Sequence, residues 1–211
     1  MAYTDINPDV VAEIASKVAE TLSNLNDDFD SFQNGVLSKI EESWYNDNAL
    51  KVMPDAVSSM NKLSSGVNDS LSSLGKALIG AANAWAEANG AGGYSVPAVA
   101  SAPKTMSCLV QNNKGGFEGM DVDIIQTAIN QAETVQTTMI GRLSKLEAAG
   151  NTVGFRGGNM QAQLSNVCNT LKSQINSAVD SIIENITTNT GTAKGNVESA
   201  RSATESTFTI N

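Results

Sequence analysis

Residues 10–40 read "VVAEIASKVAETLSNLNDDFDSFQNGVLSKI", and the apolar side chains in this stretch recur at helical spacing. Between Val18 and Val36 the intervals are 4, 3, 4, 3 and 4 residues, the heptad spacing of helices that pack along a common seam. Just before the stretch, Asn7 suits a helix N-cap and Pro8 suits the first helical position. The pattern predicts one long amphipathic helix.

Three further segments repeat this apolar pattern. The second follows Trp44 and contains Pro54, which is expected either to kink the helix or to begin its main part. A turn over residues 149–159 separates the third segment from the fourth. The predicted core positions are Val11, Ile14, Val18, Leu22, Leu25, Phe29, Phe32, Val36 and Ile40; Leu50, Met53, Val57, Met60, Val67, Leu71, Leu74, Leu78, Ala81 and Trp85; Val122, Ile125, Ala128, Ala132, Val135, Met139, Leu143, Leu146 and Ala149; and Met160, Leu164, Val167, Leu171, Ile175, Val179, Ile182 and Ile186.

A short break between two such segments makes an antiparallel helical hairpin. The predicted fold class is therefore all-α, with two long antiparallel helical hairpins in tandem, packed as one four-helix bundle. Residues 1–88 form the first hairpin, 89–119 a linker rich in glycine and proline, and 120–188 the second hairpin. Residues 189–211 are a polar C-terminal tail, either frayed helix or disordered. Within the linker, "TMSCLV" at 105–110 is compatible with a short strand or with docking on the bundle, and its pattern does not decide between them.

Composition argues against several classes of function. The net charge of −9 disfavours nucleic-acid binding, which requires a basic surface. The chain has no histidine, the commonest general base and zinc ligand. Cys108 and Cys168 are too few for a disulfide scaffold or a structural metal site; Cys168 is expected to be a buried thiol, and a single bridge between the two stays an alternative. We predict no catalytic, cofactor-binding or metal-binding residues.

Neither a cleaved export signal nor a membrane span is predicted. The first ten residues, "MAYTDINPDV", contain no basic region followed by an apolar core. No apolar run approaches the roughly 18 residues that a membrane-spanning helix requires. Stable membrane insertion is therefore not expected.

The two halves of the sequence align with each other. Trp44 in "WYND" corresponds to Phe155 in "FRGG", which places Asn46 opposite Gly157. The starts "NPDVVAEI" and "DVDIIQTA" are also similar, and together these matches indicate a tandem duplication. An aromatic side chain at the turn of a hairpin is expected to cover the last core layer, while the residue two positions later permits the reversal.

This arrangement of helix, Trp-x-Gly turn and helix resembles the WXG (ESAT-like) family of type VII secretion proteins, over about residues 5–90 and 120–188. Each unit keeps half of the motif. Asn46 stands in place of the glycine as the next-best residue for a left-handed or turn conformation, and Phe155 stands in place of the tryptophan. The resemblance implies that Trp44, Asn46, Phe155 and Gly157 form turn motifs whose exposed edge contributes to a secretion signal.

The resemblance also implies how the hairpins pair. Family members associate as antiparallel dimers of hairpins, so a tandem chain would form a monomeric pseudo-dimer with Trp44 and Phe155 at opposite ends. Many substrates of the family carry Tyr-x-x-x-Asp/Glu after the second helix. Here Trp85 and Asn89 in "WAEAN" are the nearest imitation of that signal. The favoured alternative is that Trp85 is a terminal core aromatic.

We therefore expect a non-enzymatic protein of a Gram-positive or related bacterium that acts through protein–protein interaction. It would be secreted as a folded helical bundle without a cleaved signal peptide, with the cell surface as a second destination. Its expected partners are the type VII secretion ATPase and a secreted toxin or WXG-like protein. The alternatives are a helical targeting chaperone or adaptor for a larger secreted toxin and, less favoured, a helical pore-forming or extracellular coiled-coil protein.

Overall fold

The computed structural model describes residues 6–90, 93–97, 102–113, 115, 119–156 and 158–207. Most of them are helical, and the fold is all-α. The elements in chain order are α1 (Pro8–Phe32), a π-helical turn (Gln33–Leu37), α2 (Ser38–Ser43), β1 (Trp44–Tyr45), α3 (Asp47–Ala88), β2 (Gly119–Met120), α4 (Val122–Ala149) and α5 (Asn159–Thr207).

The helices begin where the sequence places capping side chains. Asn7 caps α1 by accepting a hydrogen bond from the backbone N–H of Asp9 at 2.9 Å. Asp121 caps α4 in the same way, through the N–H groups of Asp123 and Ile124. These caps satisfy backbone donors that have no partner inside the helix.

The π-helical turn keeps one core stripe continuous from α1 into α2. From Phe32 to Trp44 the core residues follow at intervals of four, and four residues of an α-helix overshoot a full turn by about 40°. A π-helix has a wider turn, so Gln33–Leu37 absorbs this drift and Ile40 remains in the core. Gly35, inside the turn, also lets α4 approach, because a Cβ there would lie 2.7 Å from Cγ of Gln131.

Four long helical segments surround one core. α1 packs against α3 and α4, and α5 packs against the same two helices. α1 runs antiparallel to α3, with Val18 against Gly75, and antiparallel to α4, with Asp28 bonded to Arg142. The buried stripe of α1 and α2 contains all nine positions predicted from the first segment. Helix packing is that of a bundle, whereas the tandem duplication stays a prediction.

Several predicted core positions near the helix ends are wrong. Leu50, Trp85 and Val122 are 41 %, 42 % and 43 % exposed. Each lies in the first or last turns of its helix, where the neighbouring helices no longer cover the predicted face. Pro54 lies inside α3, which begins at Asp47, so it does not start the main part of that helix.

Three further core positions shift by one residue. On α3, Ala56 and Ala82 are buried in place of Val57 and Ala81, and on α5, Cys168 is buried in place of Val167. All three pairs fit a spacing of three or four, so periodicity alone could not separate them. Burial of the Cys168 thiol agrees with the prediction.

The linker docks along the groove between α1 and α3. We call its described residues 93–97 and 102–109 the strap. Tyr94 contacts Asp9 near the start of α1, and the amide N–H of Leu109 donates to Glu41 of α2 at 2.8 Å, so the strap runs parallel to α1. Of the two alternatives left open for "TMSCLV", the structure shows docking, because Met106 is buried against the core.

The expected polar tail from residue 189 is helical as far as the structure describes it. α5 continues without interruption to Thr207, beyond Ala193, which is still buried. Residues 208–211 lie outside the described residues. Nowhere in the described part of the chain is a helix sufficiently long and apolar to cross a membrane.

Candidate interaction sites at the two ends of the bundle

Trp44 closes one end of the bundle, which we call the Trp44 end. β1 pairs antiparallel with β2, with Trp44 opposite Met120 and Tyr45 opposite Gly119. The backbone N–H of Asp121 also donates to the carbonyl oxygen of Ser43 at 2.7 Å. The first reversal is therefore held by a segment that lies about 75 residues later in the chain.

The indole of Trp44 is completely buried. Its Nε1–H finds no hydrogen-bond partner among the described residues, and a buried donor without a partner costs about 1–3 kcal/mol. The ring thus covers the last core layer as expected, but it exposes no edge. Its role in a secretion motif stays a prediction, and in this fold Trp44 gives a partner no surface to contact.

Asn46 does not adopt the left-handed conformation that its alignment with glycine suggested. Its backbone is extended, with φ −151° and ψ 175°. Its side-chain Oδ1 accepts hydrogen bonds from the N–H groups of Asn48 and Ala49 at 3.0 and 3.2 Å. Asn46 is therefore the N-cap of α3, a role that asparagine fills well because its short side chain reaches the free donors.

Phe155 closes the opposite end, which we call the Phe155 end. Its ring is 1 % exposed, while the neighbouring Arg156 is exposed. The left-handed glycine is Gly154, with φ +91°, one residue before the aromatic ring. The carbonyl oxygen of Gly154 accepts a hydrogen bond from the N–H of Asn7 at 2.9 Å. Gly157, the predicted turn glycine, lies outside the described residues.

Trp85 is the exposed tryptophan of the chain. It lies in the last turn of α3 and is 42 % exposed, so the interpretation of Trp85 as a terminal core aromatic is wrong. The Nδ2 group of Asn89 donates to the carbonyl oxygen of Trp85 at 2.8 Å, which fixes the end of the helix. Because α3 runs from the Trp44 end, both residues lie at the Phe155 end. That end also exposes Val153.

Two ion pairs fix the helices against one another. Asp28, which is 5 % exposed, accepts two hydrogen bonds from the guanidinium of Arg142 at 2.6 and 2.9 Å. These bonds raise the pKa of Arg142 further and join α1 to α4. On the other side of α4, Glu147 bonds Lys172 of α5 at 2.6 Å, and this contact, with Ser165, lowers the pKa of Glu147.

The cysteines are unpaired thiols in separate places. Cys108 of the strap donates to the carbonyl oxygen of Leu37 at 3.4 Å, whereas Cys168 is buried on α5. Burial raises the pKa of each thiol to about 12, so both are protonated at neutral pH. In the part of the chain that the structure describes, no cluster of three or more metal-ligating side chains occurs.

Sequence reasoning missed three amide side chains that hold the strap. Each bonds both the N–H and the C=O of a single strap residue: Asn83 bonds Tyr94, Asn61 bonds Met106, and Gln33 bonds Ser107. The available signal was the placement of polar amides one residue beside the apolar stripes. Polar side chains at such positions are exposed to solvent unless another segment of the chain covers them. Periodicity within one helix does not identify that segment.

Comparison with known proteins does not identify a relative. No protein-family model, no curated protein and no solved structure matches this chain.

Proposed function

We propose that this chain is a type VII secretion-associated helical protein that acts through protein–protein interaction. In this proposal it is exported as a folded bundle, without enzymatic activity of its own. The observation that carries the proposal is the exposure of Trp85 at the end of a long helix, in a bundle whose other tryptophan is buried. Exposed aromatic side chains at the end of a rigid element are common anchors of protein interfaces.

The recognised element in this proposal is the last turn of α3, from Trp85 to Asn89. It occupies the place where the resembled family carries its secretion signal. The amide of Asn89 closes the helix end and holds the ring on a rigid support. Rigid presentation lowers the entropy that a partner must overcome on binding.

Export from the source organism tests this proposal. Extracellular abundance of the chain is expected to disappear when the type VII secretion ATPase is deleted. Trp85→Ala is expected to lower export about tenfold or more, since truncating an anchoring tryptophan costs about 2 kcal/mol or more of binding. Leu50→Ala is the matched control, because Leu50 is equally exposed at the opposite end of the same helix. Unchanged export in the ATPase deletion would overturn the proposal.

A second candidate function is a helical targeting chaperone or adaptor for a larger secreted protein. It is favoured by the extension of α5, which runs to Thr207, about 20 Å past Ala193 at 1.5 Å per residue. This extension projects from the Trp44 end, where helices of a partner can pack beside it. Co-purification with the product of a neighbouring gene, lost when residues 194–211 are deleted, would distinguish an adaptor from an independent cargo.

A further inference from the structure

The groove between α1 and α3 contacts an extended chain through its backbone. Asn61 donates from Nδ2 to the carbonyl oxygen of Met106 at 3.0 Å and accepts from the N–H of the same residue at 2.7 Å. Gln33 makes the same two bonds to Ser107, at 3.0 and 2.8 Å. A side-chain amide that bonds both backbone groups of one residue mimics the edge of a β-strand, so it binds extended chains with little regard to their side chains.

The strap fills this groove only in part, with Tyr94 and Cys108 half-buried against the core. Among its described residues only Met106 is buried, whereas Val96 and Leu109 are 50 % and 75 % exposed. A cavity of about 540 Å³ remains beside Val96, lined also by Ala19 and Asn68 of the two helices. The covalent linkage gives the strap an effective concentration of about millimolar, which keeps a weakly bound segment in place.

The same groove holds polar side chains that the strap leaves unpaired. Asn26 is 4 % exposed and Ser64 is fully buried, yet both amide atoms of Asn26, the hydroxyl of Ser64 and Oδ1 of Asn68 have no partner within the described residues. Because Val18 lies against Gly75 in an antiparallel pair, Asn26 lies level with Asn68. Asn26 and Asn68 therefore form one layer, one heptad from the strap-binding residues Gln33 and Asn61, and Ser64 lies between the two layers on α3.

Acidic side chains of α1 and α2 line one rim of the groove. Asp9 accepts a hydrogen bond from the hydroxyl of Tyr94, and Glu41 accepts one from the backbone N–H of Leu109. Between them, Asp30 forms an ion pair with Nζ of Lys104 at 2.5 Å. Two residues after Lys104, the side chain of Met106 enters the core. The groove therefore matches an extended segment in which a basic residue precedes, by two positions, a long apolar residue without a branch at Cβ.

We propose that the α1–α3 groove is a binding site for an extended segment of a partner protein that carries a Lys/Arg-x-Met/Leu pattern. The strap occupies this site within the chain and must be displaced by the partner. The partner backbone also reaches Asn26 and Asn68, whose amide atoms include three without a hydrogen-bond partner among the described residues. The site deepens the proposed interaction function, on which it rests, but it is independent of Trp85.

A labelled peptide tests this site on the full-length chain. The probe has the sequence of residues 102–110 with Cys108→Ser, and its binding is followed by fluorescence anisotropy. Met106→Pro in the protein removes both the buried side chain and the N–H that Asn61 accepts. This strap variant is expected to bind the probe about tenfold or more tightly than the unmodified chain, since the internal competitor is weakened.

Matched substitutions establish where the probe binds. In the strap variant, Asn61→Leu is expected to weaken binding about tenfold, because two hydrogen bonds are lost. Asn185→Leu, on the exposed face of α5, is the control and should leave binding unchanged. A probe carrying Lys104→Glu should also bind about tenfold more weakly, because it places like charges at Asp30.

Equal binding to the strap variant and the unmodified chain, or binding insensitive to Asn61→Leu, would overturn the proposal. A strap variant that instead forms dimers through its own linker would also overturn it, because the occupant would then be a second copy.

If Met106→Pro prevents folding, hydrogen exchange of the unmodified chain tests whether the strap can be displaced. The strap amides of Met106 and Ser107 should exchange at least about a hundredfold faster than core amides of α1, through local opening; equal protection contradicts a displaceable strap. Trp85-dependent export is a separate readout, so failure at this groove and failure of export are distinguishable.

Discussion

At the Trp44 end the chain reverses within three residues, 44–46, whereas at the Phe155 end it takes nine, 150–158. Both ends bury one aromatic ring over the last core layer. The short reversal depends on a distant strand and an N-cap, and the long one on a left-handed glycine bonded to Asn7. The two ends therefore have a buried aromatic ring in common, whereas the backbone conformation of the reversal differs between them.

The largest expected effect comes from removing either ring. Trp44→Ala and Phe155→Ala should each lower the free energy of unfolding by about 3–5 kcal/mol, because each leaves a large cavity. Urea denaturation followed by circular dichroism measures the loss. Trp85→Ala is the control and should change stability by less than about 1 kcal/mol, since surface substitutions have small effects. If only one of the two variants lost much stability, the two rings would not be equivalent in closing the core.

The next effect belongs to the Phe155 end only. Gly154→Ala should destabilise the chain by about 1–3 kcal/mol, because a left-handed backbone strains a residue with a Cβ. That Cβ would also lie 2.9 Å from Cβ of Asn7. The control is Gly158→Ala, where an added Cβ meets no described atom within 4 Å. Equal stability of the two variants in thermal unfolding would contradict the assigned reversal.

A smaller effect on stability, at the Trp44 end, distinguishes Asn46 as a helix N-cap from Asn46 as a left-handed turn residue. Asn46→Ala should cost about 1 kcal/mol, whereas Asn46→Ser should cost only a few tenths, because serine also caps a helix. If Asn46 instead served as a left-handed residue, serine would be as costly as alanine and glycine would be stabilising. Chemical denaturation of the three variants distinguishes the two roles.

The smallest effect is a dependence on pH near the Phe155 end. Lys172, together with Ser165 and Asn169, lowers the pKa of Glu147 below its ordinary value of 4.5. A lowered pKa in the folded state stabilises the chain above pH 4.5, and this contribution is lost as the pH falls through the folded value. Glu147→Gln should therefore show a shallower loss of stability in acid. Identical acid profiles would contradict the bonding of Glu147 across α4 and α5.

The helical fold was predictable because its signal is repeated along the whole chain. All nine positions predicted from the first heptad pattern are buried, and Asn7 caps α1 as predicted, whereas buried Ala15 and Leu37 lie beside that pattern. Positions near the helix ends were less predictable, since Leu50, Trp85 and Val122 follow the period but lack neighbours to cover them. Local spacing contains no information on where an adjacent helix stops.

The candidate sites were less predictable because they depend on tertiary partners. Asn46 was aligned with a glycine, yet its side chain caps α3, a role that the local sequence "NDNA" also permits. The three amides that hold the strap lie beside the apolar stripes, but this position does not identify their partners, which are backbone groups about 11 to 74 residues away. Only the folded chain brings these groups together.

The central claim is that this single chain fills its own four-helix core. Light scattering of the purified protein measures its molar mass directly. We predict 22.0 kDa, the mass of one chain, unchanged by dilution. A particle of twice that mass, dissociating only when the chain unfolds, would show that the helical hairpins complete their core in another copy and would contradict this account.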